Sequence, residues 1–195
     1  MPTFVALLRG VNVGGHKRVP MAEWRALMAE QGYTRVRTLL NSGNAVFDAA
    51  GAATPAAAAR HAKDIRELLA TRLRVEVPVV VKTAAQLAAI VAGNELAVGT
   101  AGAAEPAFDA SRLLVAFAPD AASLAGMASI AGLVQPPEQF LLGRHAAYLH
   151  CASGILQSRA SEALLARKAD LTFITTRNWA TTLKLQAMAL GGEEA

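Results

Sequence analysis

The chain has 195 residues, 53% of them hydrophobic and 17% charged, with a formal net charge of +4. That apolar share builds a core and excludes global disorder, and the length fits one large domain or two small ones. One cysteine, Cys151, excludes an intrachain disulfide framework and suits a reducing cytosol, while no apolar run approaches the roughly 20 residues that span a bilayer.

No basic segment leads into a secretory hydrophobic core, so a cytoplasmic location is expected. Residues 3–8 (Thr-Phe-Val-Ala-Leu-Leu) are continuously apolar and predict a strand covered on both faces. A glycine-dense loop follows, holding Arg9, Gly10, Asn12, Gly14, Gly15, His16, Lys17 and Arg18, and Pro20 opens a helix at its first position. Met21, Trp24, Leu27 and Met28 give that helix its apolar face, and Gly32 stops it. Residues 36–40 and 45–48 read as strands joined by Asn41-Ser42-Gly43-Asn44, a tight-hairpin signature.

Thr54-Pro55 then caps a helix whose buried stripe is Ala58, Ala62, Ile65, Leu69 and Leu73. Val75, Val77, Val79 and Val81 alternate along the next strand, and Pro78 assigns it to a sheet edge. The order is βαββαβ, the ferredoxin-like arrangement, in which the fourth strand does lie at an edge. A capping box from Thr83 to Gln86 opens a linking helix that Gly93 closes. Residues 94–111 lack periodicity and form the expected linker, dividing a first half at 1–93 from a second at 112–195.

The pattern then recurs. A strand at 112–117 precedes a helix at 119–133 with Leu124, Met127 and Ala131 facing in. A hairpin at 139–151 turns at Gly143-Arg144-His145, a helix carries Ala163, Leu164 and Leu165, and a strand takes 171–175. A closing helix from Asn178 to about Leu190 has Asn178 as its cap and Trp179, Leu183, Ala187 and Leu190 as its stripe. The fold class expected is α+β, with two ferredoxin-like halves, antiparallel sheets, and every sheet face covered.

In this strand order the glycine loop and the Asn41–Asn44 hairpin leave the same end of one sheet. They bring Arg9, Asn12, Gly14, Gly15, Lys17, Ser42 and Asn44 beside a helix N-terminus, a place suited to an anion. Arg177, just before the last helix, is expected to reach a polar surface and joins them as a candidate ligand-binding residue.

The glycine loop with Met21, the Leu40-Asn-Ser-Gly-Asn44 hairpin with Phe47, and Thr175-Thr-Arg-Asn-Trp179 with Thr182, Lys184 and Leu185 resemble one bacterial family. It is domain-of-unknown-function family sixteen-ninety-seven; Glu138, Tyr148, Gly154 and Ser158 also fit its pattern. Residues 94–135 depart from it, lacking its usual Asn-Pro-Phe-like stretch. The resemblance implies the paired ferredoxin-like fold and supplies no activity.

Bland readings stand beside the chemical ones. Gly10 and Gly15 have P-loop spacing, but His16-Lys17 replaces the Lys-Ser/Thr pair, which argues against an ordinary nucleotide hydrolase. The same glycines serve a tight connection equally well. Ser42 lacks a nucleophile's surroundings, and His16, His61, His145 and His150 show no metal-ligand spacing with one another or with Cys151. No acid, base or nucleophile is identified, so whether the protein is an enzyme stays open; neither a metal nor a cofactor is called for. The favoured partner is a small anionic molecule, with phosphate-bearing ones among the candidates. A nucleic-acid module is the less favoured rival, since aromatics are only 5% of the chain and stacking platforms are scarce. A structural or oligomerising protein is the third reading, with no oligomeric state implied.

Overall fold

The computed structural model describes residues 1–14, 17–98, 109–166 and 174–191. Its chain forms two compact units, Met1–Leu87 with Leu185–Ala195 and Ala88–Lys184. Each unit carries one four-stranded antiparallel sheet.

The first unit runs β1 (Thr3–Leu8), α1 (Met21–Glu30), β2 (Thr34–Leu39), β3 (Asn44–Asp48), α2 (Pro55–Leu68), a π-helical turn at Leu69–Leu73, and β4 (Val79–Thr83). Its sheet order, β2-β3-β1-β4, is the ferredoxin-like one with β1 central and β4 at an edge. Thr54 caps α2 by accepting from the Ala57 N–H at 3.1 Å, and Pro55 follows at the first helical position. Phe4, Ala6 and Leu8 of β1 pack with Phe47, Trp24, Met28, Ile65 and Leu69 in one core. On the other face of β1, Val5 and Leu7 are buried as well, so the strand reads as continuously apolar because it is covered twice.

Two expectations need correction here. The strand expected from Val75 begins only at Val79, and all five residues of β4 are buried. Pro78 ends the lead-in, where its missing N–H costs the ladder nothing, and its carbonyl accepts from the Arg9 N–H at 3.0 Å.

The capping box holds as expected: the Thr83 N–H donates to Gln86 Oε1 and the Gln86 N–H to Thr83 Oγ1, both at 3.0 Å. It opens α3 (Ala84–Ala92), and α4 (Glu95–Val98) follows inside the stretch expected to be a linker, of which residues 99–108 lie outside the described residues. The second unit then runs β5 (Leu113–Phe117), α5 (Ala121–Ala125), a 3₁₀ helix at Gly126–Leu133, β6 (Gln139–Leu142), β7 (Ala147–His150), α6 (Arg159–Ala166), β8 (Thr175–Asn178) and the start of α7 (Trp179–Ala189), whose residues from Leu185 onward belong to the first unit. The order β6-β7-β5-β8 repeats that of the first sheet.

Differences from the sequence reading in this unit follow from helix type and side-chain chemistry. The 3₁₀ stretch has a three-residue period, so Met127 and Ile130 are buried while Ala131 turns outward. The last strand is Thr175–Asn178 and not 171–175, whose first three positions lie outside the described residues. In α7 Trp179 is buried as expected, together with Thr181, Thr182, Leu185, Met188 and Ala189, while Leu183, Ala187 and Leu190 are exposed. The Thr182 hydroxyl donates to the Asn178 carbonyl at 3.0 Å, which lets a polar residue face inward. Among the described residues no helix is long and apolar enough to cross a membrane.

Candidate functional site

The C-terminal end of β1 meets the β2–β3 hairpin directly. The Leu8 N–H donates to the Gly43 carbonyl at 2.8 Å. Gly43 has φ +77°, and a Cβ there would stand 2.6 Å from Leu8 Cβ and 2.7 Å from Val11 Cγ2, so only glycine allows this approach. Asn12 then ties the loop shut. Its Oδ1 accepts from the Val19 N–H at 2.9 Å, and its Nδ2 donates to the carbonyls of Val19 at 3.0 Å and Asn41 at 2.7 Å. The glycine loop and the hairpin are therefore neighbours at one sheet end, as the strand order requires.

The other expected residues take different stations. Asn44 is fully buried and donates through Nδ2 to the Leu39 carbonyl and to Ser42 Oγ, each at 2.9 Å, while Ser42 itself is exposed. Gly14 is exposed with φ +60°; Gly15 and His16 lie outside the described residues. Arg9 is half-buried, and loss of water around its guanidinium lowers the pKa from its ordinary value. Lys17 and Arg18 are exposed.

Beyond Lys17 the loop faces the end of the α2 segment. The π turn closes at Arg74, which takes the left-handed conformation with φ +55°, and the Val75 N–H returns to the Leu69 carbonyl at 3.2 Å. Between the two segments runs a groove of about 730 Å³, open to solvent and lined by Lys17, Arg18, Ala70, Arg74, Val75 and Glu76. Among the described residues none of its three cations, nor Glu76, enters an ion pair.

Backbone strain gathers at the same end. Among the described residues the non-glycine ones with positive φ are Asn12, Lys17, Leu40, Arg74 and Arg35. The first four belong to this loop end, and only Arg35 lies at the other, beside the Thr34–Asp48 pair. Such conformations cost about 1–3 kcal/mol each outside glycine and asparagine and concentrate where structure serves a site.

Arg74 and Glu76 escaped the sequence reading because they lie far along the chain from the glycine loop. The signal that finds them is topological: β4 runs antiparallel beside β1, so its lead-in must arrive at the end where the loop leaves.

Arg177 belongs to the second unit and departs from its expected exposure. It sits inside β8 opposite Val115, half-buried as a residue but with an enclosed guanidinium that donates to Thr175 Oγ1 at 2.9 Å and the Thr176 carbonyl at 2.6 Å. Desolvation brings its pKa down to about 10. Asn178 caps α7 as expected, accepting from the Thr181 N–H at 2.8 Å.

The remaining chemistry-bearing side chains are packed. His61 lies in the first core, its Nδ1 3.1 Å from the Tyr33 hydroxyl and its ring edge-on to Phe4. Burial lowers the His61 pKa and raises that of Tyr33 to about 12. Cys151 is buried, and desolvation raises its pKa. Among the described residues no group of three or more His, Cys, Asp or Glu could hold a metal ion.

A family model described as "Protein of unknown function (DUF1697)" matches residues 1–148. No curated protein matches the chain. Among solved structures, conserved bacterial protein SP0830 from Streptococcus pneumoniae is similar with a TM-score of 0.73 and 20% identity, over 96% of this chain and 98% of that one. At that identity the likeness shows the fold.

Proposed function

The chain belongs to the DUF1697 family, and from its first unit's geometry we propose that it binds a small anionic ligand at the groove beside the glycine loop. The observation that carries this reading is the convergence of Lys17 and Arg18 with Arg74 on one open groove, none of them ion-paired among the described residues. Cations left without carboxylate partners and aimed at a shared space complement negative charge. Arg9 and Gly14 of the same loop stay candidate contacts outside the groove lining, while Asn12, Ser42 and Asn44 hold the loop and hairpin in position. Arg177 is no part of the groove lining. A nucleic-acid surface would need an open sheet face bearing aromatics, and both faces of β1 are buried.

A thermal-shift screen of the full chain against phosphorylated metabolites, with short RNA and DNA as the rival set, tests the reading. A specific anion raises the melting temperature in proportion to ln(1 + [L]/Kd), and Lys17→Asn reduces the shift. Equal shifts in the wild type and the variant, or no shift with any anion, would sink the proposal.

A further inference from the structure

The groove is not uniformly basic. Glu76 stands in its lining with Lys17, Arg18 and Arg74, and Ala70 and Val75 supply the apolar part. A carboxylate accepts hydrogen bonds and donates none, so it repels a bare phosphate and attracts a group that carries O–H or N–H. Of those two, an ammonium would be repelled by the three cations around it. A neutral hydroxyl meets no such opposition.

Size and shape narrow the class further. At about 730 Å³ the groove is far larger than inorganic phosphate needs and falls within the roughly 300–1,000 Å³ typical of small-molecule sites. Among the described residues its lining offers no ring on which a base could stack. The four aromatic residues of Met1–Leu87, namely Phe4, Trp24, Tyr33 and Phe47, are all at most 8% exposed and belong to the core. A nucleotide would leave its base without the stacking partner that such ligands gain from aromatic side chains.

We propose that the ligand is a phosphorylated polyol of sugar-phosphate size, an assignment that rests on the anion-binding reading above. Its phosphate lies on Lys17, Arg18 and Arg74, and its hydroxyls donate to Glu76. Val75 and Ala70 face the carbon skeleton.

Titration calorimetry of the full chain with inorganic phosphate, a hexose 6-phosphate, a hexose bisphosphate and AMP tests the assignment. Because Arg74 holds a left-handed backbone that asparagine tolerates, Arg74→Asn removes its charge without adding strain. Arg74 and Glu76 are both exposed, and a melting curve confirms that each variant is folded. The hexose phosphates should bind about tenfold or more tighter than inorganic phosphate, the value of one charge-assisted hydrogen bond. Glu76→Ala should erase that preference while strengthening inorganic phosphate, and Arg74→Asn should weaken every anion. Hexose phosphates no tighter than inorganic phosphate, or AMP tighter than both in wild type and Glu76→Ala alike, would overturn the polyol assignment while Arg74→Asn still upholds the anion site. Anion binding indifferent to Arg74→Asn, or absent altogether, would overturn both.

Discussion

The two units run the same strand order, but they make their first strand-to-helix connection in different ways. In the second unit β5 passes to α5 through residues 118–120, with Asp120 capping the helix by accepting from the Ser123 N–H at 2.7 Å. In the first unit the equivalent connection takes residues 9–20, with left-handed backbone at Gly10, Asn12, Gly14 and Lys17. A tight glycine turn needed only to join strand to helix would resemble the short version. The fold therefore does not require the long loop, and length beyond what a connection needs is where function tends to reside. The cores differ as well: the first is built on Phe4, Trp24, Tyr33 and Phe47, the second on Leu114, Met127, Ile130, Leu149 and Leu164.

If the loop is an addition to a sound scaffold, damage to either scaffold must cost far more than damage to the loop's charges. Trp24→Ala, which empties a fully buried position on α1, is expected to cost about 3–5 kcal/mol in urea unfolding. Met127→Ala, at the corresponding helix of the second unit, should cost about 2–5 kcal/mol. Near-neutral results at both would mean that neither core governs stability, and the comparison would lose its footing.

The junction of loop and hairpin should rank next. Gly43→Ala forces a Cβ into Leu8 and Val11 at a positive φ, for an expected loss of about 2–4 kcal/mol. Asn12→Gly keeps the left-handed backbone but deletes the side chain's bonds to Val19 and Asn41, and should cost about 1–2 kcal/mol. It should also weaken anion binding without touching the groove. Unchanged affinity in Asn12→Gly would separate the hairpin from the site.

Acid should act on both units. Burial, aided by Arg60 and opposed by Asp64, lowers the His61 pKa, and burial with Arg112 lowers that of His150. A histidine whose folded pKa is depressed favours the neutral form, so its stabilising contribution is complete above the unfolded value of about 6.5. It is lost as pH falls through the lower folded value. His61→Gln, which retains an acceptor for Tyr33, should therefore show a smaller drop in melting temperature between neutral and acid pH than the wild type does. An identical drop would place the source outside His61.

Much of this architecture is written locally in the chain. The unbroken apolar run of β1, the Thr54 and Asn178 caps, the Thr83–Gln86 box and the hairpin glycine each act within a few residues, and each appears where its chemistry puts it. What escaped depends on partners elsewhere. The inward face of α7 includes Thr182, which hydrophobic periodicity counts as polar, because its hydroxyl is satisfied on its own helix. Arg177 looks like a surface residue until β8 is seen to include it. The groove pairs Lys17 with Arg74, and only the antiparallel β1–β4 ladder reveals that they meet.

The smallest expected change in stability is also the one that most directly tests what the long connection is for. Lys17 and Arg74 are exposed, make no ion pair among the described residues, and hold left-handed backbones with φ +49° and +55°. Alanine at either position would add backbone strain and blur a loss of charge with a loss of fold, whereas asparagine accepts the conformation. Lys17→Asn and Arg74→Asn should each shift unfolding by no more than about 0.5 kcal/mol, as surface substitutions away from packing usually do. The removal of two like charges from one groove should, if anything, relieve repulsion and raise stability slightly in the double variant. Affinity for a phosphorylated probe should move the other way, falling about tenfold or more for each lost charge-assisted contact. Because the contacts converge on one anion, the two losses should not add independently. If instead the double variant unfolds at markedly lower denaturant, the loop's cations act in the scaffold after all, and the long connection of the first unit is structural where the short one of the second is merely economical.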